Sequence, residues 1–137
     1  MSARRSAYAD QARAATHEAE QIAAKSATRT GAKVRSGFNN PTAVRLVTEL
    51  HARAAYGLPT CGHLPGGPGV GWWVAWEPDL MRCKHCARAV MRATQGTTED
   101  RRCDGCSKVF DRIRPTLLQG GSVVIVLGLC GDCEAGR

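Results

Sequence analysis

Apolar positions along this chain change their rhythm twice. In residues 4–30, Tyr8, Ala12, Ala15, Ala19 and Ile22 recur at alternating spacings of four and three, which lines one face of a helix. The Ala, Arg, Gln and Glu around them are good helix formers. That face is narrow and mostly alanine, so it suits a close partner helix and holds a lone helix poorly. Residues 30–39, with Gly31, Lys33, Arg35 and Gly37, read as a basic linker. A second helix follows on stronger signals: Asn40 can N-cap, Pro41 suits the first helical position and Gly57 can terminate. Ala43, Val44, Leu46, Val47, Leu50 and Ala54 form its apolar face, and Arg45–Glu49 and Glu49–Arg53 are i,i+4 pairs on its polar side.

From Pro59 onward the apolar runs shorten and Gly, Pro and Cys separate them. Residues 71–75 and 79–82 flank one turn, while 109–113 and 122–129 flank another at Gln119-Gly120-Gly121, so two β-hairpins are expected. On the first strand Trp72, Val74 and Trp76 share a face and Trp73 points the other way. At least one of these rings is expected in a core; an exposed one would be free to stack a base or anchor an interface. The fold class expected is α+β. A basic, Ala-rich helical arm and linker occupies residues 1–39, an amphipathic helix 40–58, and two small β-hairpin modules 59–100 and 101–137.

Composition shows what such modules need. The 137 residues include only two Phe, two Tyr and three Trp, so the core is small and calls for a disulfide, metal or partner to support it. Seven cysteines cannot all pair, and the N-terminus lacks the apolar stretch of a secretory signal. No apolar run approaches the length of a membrane span. We therefore expect a soluble, cytoplasmic chain with reduced thiols and no membrane contact.

All seven cysteines fall into ligand pairs: Cys61-Gly-His63, Cys83-Lys-His-Cys86, Cys103-Asp-Gly-Cys106 and Cys130-Gly-Asp-Cys133. His63 supplies an eighth donor, which completes two tetrahedral sets with nothing left over. Two-residue spacing lets a tight turn set both sulfurs on one edge of a tetrahedron around Zn²⁺, at Zn–S bonds of about 2.3 Å. Gly62, Gly105 and Gly131 suit such turns. Two Zn²⁺ ions are expected. Sequential sharing assigns Cys61, His63, Cys83 and Cys86 to one ion and Cys103, Cys106, Cys130 and Cys133 to the other; a cross-braced pairing also satisfies the spacing. His51 sits on the second helix with no cysteine near it in sequence.

These pairs resemble the ligand knuckles of zinc-ribbon and treble-clef zinc modules. The first set is treble-clef-like, because a helical stretch, Ala87 to Ala93, follows Cys86. The second resembles a zinc ribbon, because only four residues follow Cys133 and no further helix is expected there. The resemblance covers about residues 59–137 and implies structural rather than catalytic metal. Fifteen Arg against four Lys, with abundant Ala and Gly, also resembles small proteins of high-GC actinobacteria and their phages.

Enzymatic readings fare poorly on the same residues. Catalytic zinc keeps an open coordination position, whereas four protein donors close each set. A nucleobase deaminase would need a Glu two positions after its first ligand and a Pro before its Cys-x-x-Cys; here the residues are His63 and Arg82. The Gly66–Gly71 run lacks the Lys and Ser/Thr of a phosphate loop. No catalytic residue is therefore assigned.

The formal charge of +7 is uneven: residues 1–56 hold +5 and residues 57–137 only +2. With seven thiolates and two Zn²⁺ the second part falls to about −1. Two partner classes follow. Nucleic acid would meet Arg4, Arg5, Arg13, Lys25, Arg29, Lys33 and Arg35, with Arg45 beyond them, through phosphate contacts. A protein-binding adaptor, such as an accessory component of a phage or multi-protein assembly, would instead use the alanine-lined helix and the Val123–Leu127 strand.

Overall fold

A computed structural model describes residues 3–30, 33–35, 40–64 and 69–136. Four helices, α1 (Ala3–Thr30), α2 (Pro41–Ala55), α3 (Lys84–Thr94) and α4 (Gly131–Glu134), accompany four strands, β1 (Lys33–Arg35), β2 (Gly71–Val74), β3 (Arg114–Gly120) and β4 (Val123–Leu129). A 3-10 turn spans Thr98–Arg101. The chain is α+β, as expected.

The strands form one sheet in the order β1-β3-β4-β2. β3 and β4 are an antiparallel hairpin, with Leu117 opposite Val126 and Leu118 opposite Ile125. β1 joins the free edge of β3 in parallel, and β2 joins the free edge of β4 in parallel. Pieces of chain on either side of residues 39, 58 and 100 thus meet again in one sheet: β1 from the arm, β2 from the first cysteine pairs, β3 and β4 from the last.

Three sequence expectations change here. The basic linker contains a strand, β1, although Gly37 and its neighbours at 36–39 lie outside the described residues. The second hairpin begins at Arg114, not at 109; Val109 instead pairs with Arg102 in an isolated bridge beside the third cysteine pair. The first hairpin shrinks to one antiparallel bridge, in which Trp72 and Arg82 exchange N–H···O bonds of 2.8 Å, and the ladder of β2 runs along β4. The physical reason is the apolar length of β4: Val124, Ile125, Val126 and Leu127 are all buried, so both of its edges and both of its faces need cover.

Helices cover both faces. On one, Ala19 of α1 and Ala87 of α3 pack on Trp72, Val74, Leu117, Val124 and Val126. On the other, Ala43, Leu46 and Leu50 of α2 pack on Trp73, Leu118, Ile125 and Leu127. Alternation along β2 therefore sends Trp72 and Trp73 into opposite cores, as the period of two requires. Trp76 is half-buried and donates from Nε1 to Thr94 Oγ1 at 3.0 Å. The alanine row of α1, Ala15, Ala19 and Ala23, is buried; with no long side chain in the way, this helix lies close on the sheet of its own chain. Of the surfaces expected to serve an adaptor, β4 lies inside the fold; on the α1 face Ala15 and Ala19 are buried, Ala23 joins them, and Ala12 and Ile22 are half-buried.

Candidate metal centres

Cys61 follows a parallel bridge between Thr60 and Met81, where its N–H donates to the Met81 carbonyl at 3.0 Å. Gly62 then takes φ +82°, a left-handed backbone that favours glycine, and turns His63 back toward the cysteines. Cys83 is the N-cap of α3: its Sγ accepts the Cys86 N–H at 3.4 Å, while its own N–H donates to Cys61 Sγ at 3.2 Å. His63 Nδ1 lies 3.3 Å from Cys86 Sγ and 3.8 Å from Cys83 Sγ. All four donor atoms are within 4.8 Å of one another.

The second set repeats this plan with the last two cysteine pairs. Cys103 opens a tight knuckle in which Ser107 N–H returns to the Cys103 carbonyl at 2.8 Å, with Ser107 at φ 65°. Cys103 Sγ accepts from Gly105 N–H and from Cys130 N–H, both at 3.3 Å. Cys130 N-caps α4 and its Sγ accepts the Cys133 N–H at 3.5 Å. Cys106 and Cys130 sulfurs are 4.0 Å apart, and all four sulfurs again lie within 4.8 Å. The one-turn helix α4, which carries Cys133, corrects the expectation of no further helix at this end. Its cause is local, since a helix N-terminus offers N–H groups to an anionic sulfur.

These separations match a tetrahedral ion. Donors about 2.3 Å from a zinc ion, at tetrahedral angles, stand about 3.8 Å from each other, and a sulfur–nitrogen edge is slightly shorter. Electrostatics point the same way. Burial opposes a thiolate at Cys61, but N–H donation from His63 and Cys83 outweighs it and brings that thiol to about 6. Its neighbour Cys86 is pushed up to about 11, first by its bond with Cys83 and then by burial. In the second set burial again opposes ionisation of Cys103, the N–H groups of Cys130, Cys106 and Gly105 win, and it falls to about 7. Cys133, buried and beside those sulfurs, rises to about 12. Each set thus favours a thiolate at one position, Cys61 or Cys103, and resists one at another, Cys86 or Cys133, until a cation compensates it.

The structure gathers the donors in sequential sets rather than cross-braced ones. All seven cysteines are free thiols. His51 is exposed on α2 and belongs to neither set. The two sets differ in depth. Cys103 and Cys130 are 1% and 6% exposed and belong to the core that α2 packs on, with Cys106 exposed beside them, whereas in the first set His63 is exposed and Cys61, Cys83 and Cys86 are half-buried.

Sequence reasoning missed the residues that hold α2 against the second set. Asn40 Oδ1 caps α2 by accepting from Thr42 and Ala43 N–H, while Nδ2 donates to the carbonyls of Cys133 and Glu134. Arg45 donates to the Asp104 carbonyl, so it is engaged with the knuckle. Asp104 in turn accepts the Gly128 N–H at 2.7 Å, and burial raises its carboxyl to about 6 against that bond. The Asn-Pro signal revealed the cap; nothing local to residue 40 reveals partners 93 and 94 positions away.

No protein-family model matches the chain, and no curated protein or solved structure matches it. What the residues themselves provide is two closed clusters, one Cys₃His and one Cys₄, each able to hold a metal ion. No helix among the described residues is long and apolar enough to cross a membrane.

Proposed function

We propose that this chain is a non-enzymatic protein fastened by two structural Zn²⁺ ions, and that it associates with nucleic acid through its basic N-terminal arm. The observation that carries the metal reading is the closure of both sets: four soft donors each, mutually within 4.8 Å, leave no open position for a substrate. Thiolate and imidazole donors select zinc over the harder cations.

The arm reading rests on charge placement. Burial of Ala15, Ala19 and Ala23 turns the polar side of α1 outward, where Arg13 and Lys25 are exposed. Arg13 is paired with Asp10, so Lys25 is the freer cation of the two. The side chains of Arg4, Arg5, Arg29, Lys33 and Arg35 lie outside the described residues and enter on sequence alone. Burial of β4 and of Ala15 and Ala19 on α1 takes up surface that an adaptor would use, which favours the nucleic-acid reading over it.

Two measurements test the proposal on the full chain. Metal analysis should give two zinc per chain. Binding to short duplex and single-stranded nucleic acid should weaken steeply with salt and fall in R4Q/R5Q/R13Q. Removing the arm outright is a poor test, since residues 1–39 contain α1 and β1, which cover one face and extend one edge of the sheet. Absence of binding at low salt refutes the nucleic-acid half and leaves the metal half standing.

A further inference from the structure

Helix α3 carries a second cationic surface. Its apolar positions Ala87, Val90 and Met91 face the sheet, with Thr94 beside Trp76. The opposite side exposes Lys84, His85, Arg88 and Arg92, and the helix contains no acidic residue. Lys84, Arg88 and Arg92 follow one another at intervals of four, which makes a single row with steps of about 6 Å along the helix.

The row is unspent, whereas several other arginines are paired; Arg101 and Arg112, which also make no ion pair among the described residues, lie off this helix. Arg53 pairs with Glu49 and Asp79, Arg82 with Glu77, Arg102 with Glu99 and Arg114 with Glu134. Among the described residues, Lys84, Arg88 and Arg92 make no ion pair. Arg92 shares a cleft with Glu99 and Asp100. Glu99 is paired with Arg102 Nε at 2.7 Å, while Asp100 accepts the Gly96 N–H at 3.1 Å and keeps its charge, so Arg92 is the most diluted cation of the row.

We infer that the Lys84–Arg88–Arg92 row is a docking surface for the phosphate backbone of nucleic acid. This rests on the nucleic-acid reading above and adds a rigid second contact to its arm. Charge complementarity selects the partner: a regular row of cations without ion-pair partners, on a helix with no acidic residue, fits a regular row of anions. A protein partner would need a large apolar or aromatic anchor. The exposed large apolar residues among the described ones are Val44, Tyr56 and Val109, none of them on α3. Trp72 and Trp73 are buried, so neither ring can stack a base. Contact through phosphates alone predicts binding with little sequence preference.

The test is a salt titration of the zinc-loaded full chain against a fluorescent 20-mer duplex, comparing wild type with K84Q/R88Q/R92Q. Each cation taken away from a phosphate lowers the log–log salt slope by about 1, so the slope of the triple variant should fall by about 3 and its binding weaken more than about tenfold at low salt. K84R/R88K/R92K keeps the charge and should keep the slope. Equal zinc content and far-UV circular dichroism certify that each variant is folded. Wild-type binding that the glutamine variant retains with an unchanged slope overturns the row and leaves the arm reading intact. No wild-type binding at low salt overturns both. Binding to phosphatidylserine vesicles without binding to nucleic acid also overturns the proposal, in favour of a membrane surface.

Discussion

The side-chain amide of Asn40 donates to the main-chain carbonyl of Cys133 at 2.8 Å and thereby joins the first residue before α2 to the last metal knuckle of the chain. The same side chain caps its own helix and also reaches Glu134. One buried amide therefore links helix formation, helix docking and the second metal set.

Replacing it should be costly for that reason. Asn40→Ala loses an N-cap and leaves two carbonyls without their donor, which should lower stability by about 2 kcal/mol. Asn40→Asp keeps the cap but turns a carboxylate toward those carbonyls, and should do no better. Urea unfolding of the zinc-loaded protein measures both; a loss under about 0.5 kcal/mol for the alanine variant would remove the linking role from Asn40.

Ligand substitutions should separate the two sets. Structural zinc contributes on the order of 10–16 kcal/mol in small domains, comparable to the whole stability of a chain this size. Cys130→Ser strikes a ligand that is itself core and should unfold the sheet along with the metal site. Cys86→Ser should lose one zinc and leave the α2–sheet core folded. Zinc content with a thermal melt reads both, and a cooperative melt with two zinc in Cys130→Ser contradicts the four-sulfur set.

Depth should also show in kinetics. Every donor of the first set is exposed or half-buried. Cys103 and Cys130 instead lie in the core that α2 packs against and Cys106 is the exposed donor of the second set, so a chelator should strip the first set faster. Zinc release to a coloured chelator should be biphasic, one ion per phase, with the slow phase accelerated by Asn40→Ala. Release in a single phase would mean the sets open together.

Glycine tolerance should follow space rather than position in the motif. A Cβ on Gly105 would stand 2.7 Å from Cys133 Sγ and 3.0 Å from Thr42 Oγ1, whereas one on Gly131 meets nothing within 4 Å. Gly105→Ala should cost about 1–3 kcal/mol and loosen the second zinc, and Gly131→Ala should be nearly silent. Equal effects in denaturation would refute the crowding argument.

Acidification should strip the metal. The ordinary thiol value is 9.0, and the folded chain holds Cys61 at about 6 and Cys103 at about 7. Because these folded values are depressed, the stability they contribute is present above pH 9 and is lost as pH falls through the folded values. A bound cation depresses them further, so zinc should stay on at about pH 7 and leave only below about 6. Zinc content after dialysis across that range checks the direction.

Legibility in the sequence followed the range of each interaction. The eight donors were readable because a Cys-x-x-Cys knuckle is complete within four residues. The start of α2 was readable because a cap and a proline act locally, and the two faces of β2 because strand period is local too. The sheet was not. Residues 109–113 have strand composition yet serve a knuckle, and the β1–β3 and β2–β4 ladders join segments tens of residues apart in parallel, which leaves no turn signal between partners. The alanine row of α1 announced a close neighbour but not that the neighbour is the chain's own sheet.

By itself, then, the sequence determined the chemistry of the donors and the periodicity of each element, because both are properties of a few adjacent residues. Only the tertiary structure decided that β4 lies inside one shared sheet, that Trp72 and Trp73 are buried, and that the cations of α3 remain unpaired. Those outcomes depend on which distant surfaces meet, and the free energy of that meeting is summed over the whole fold.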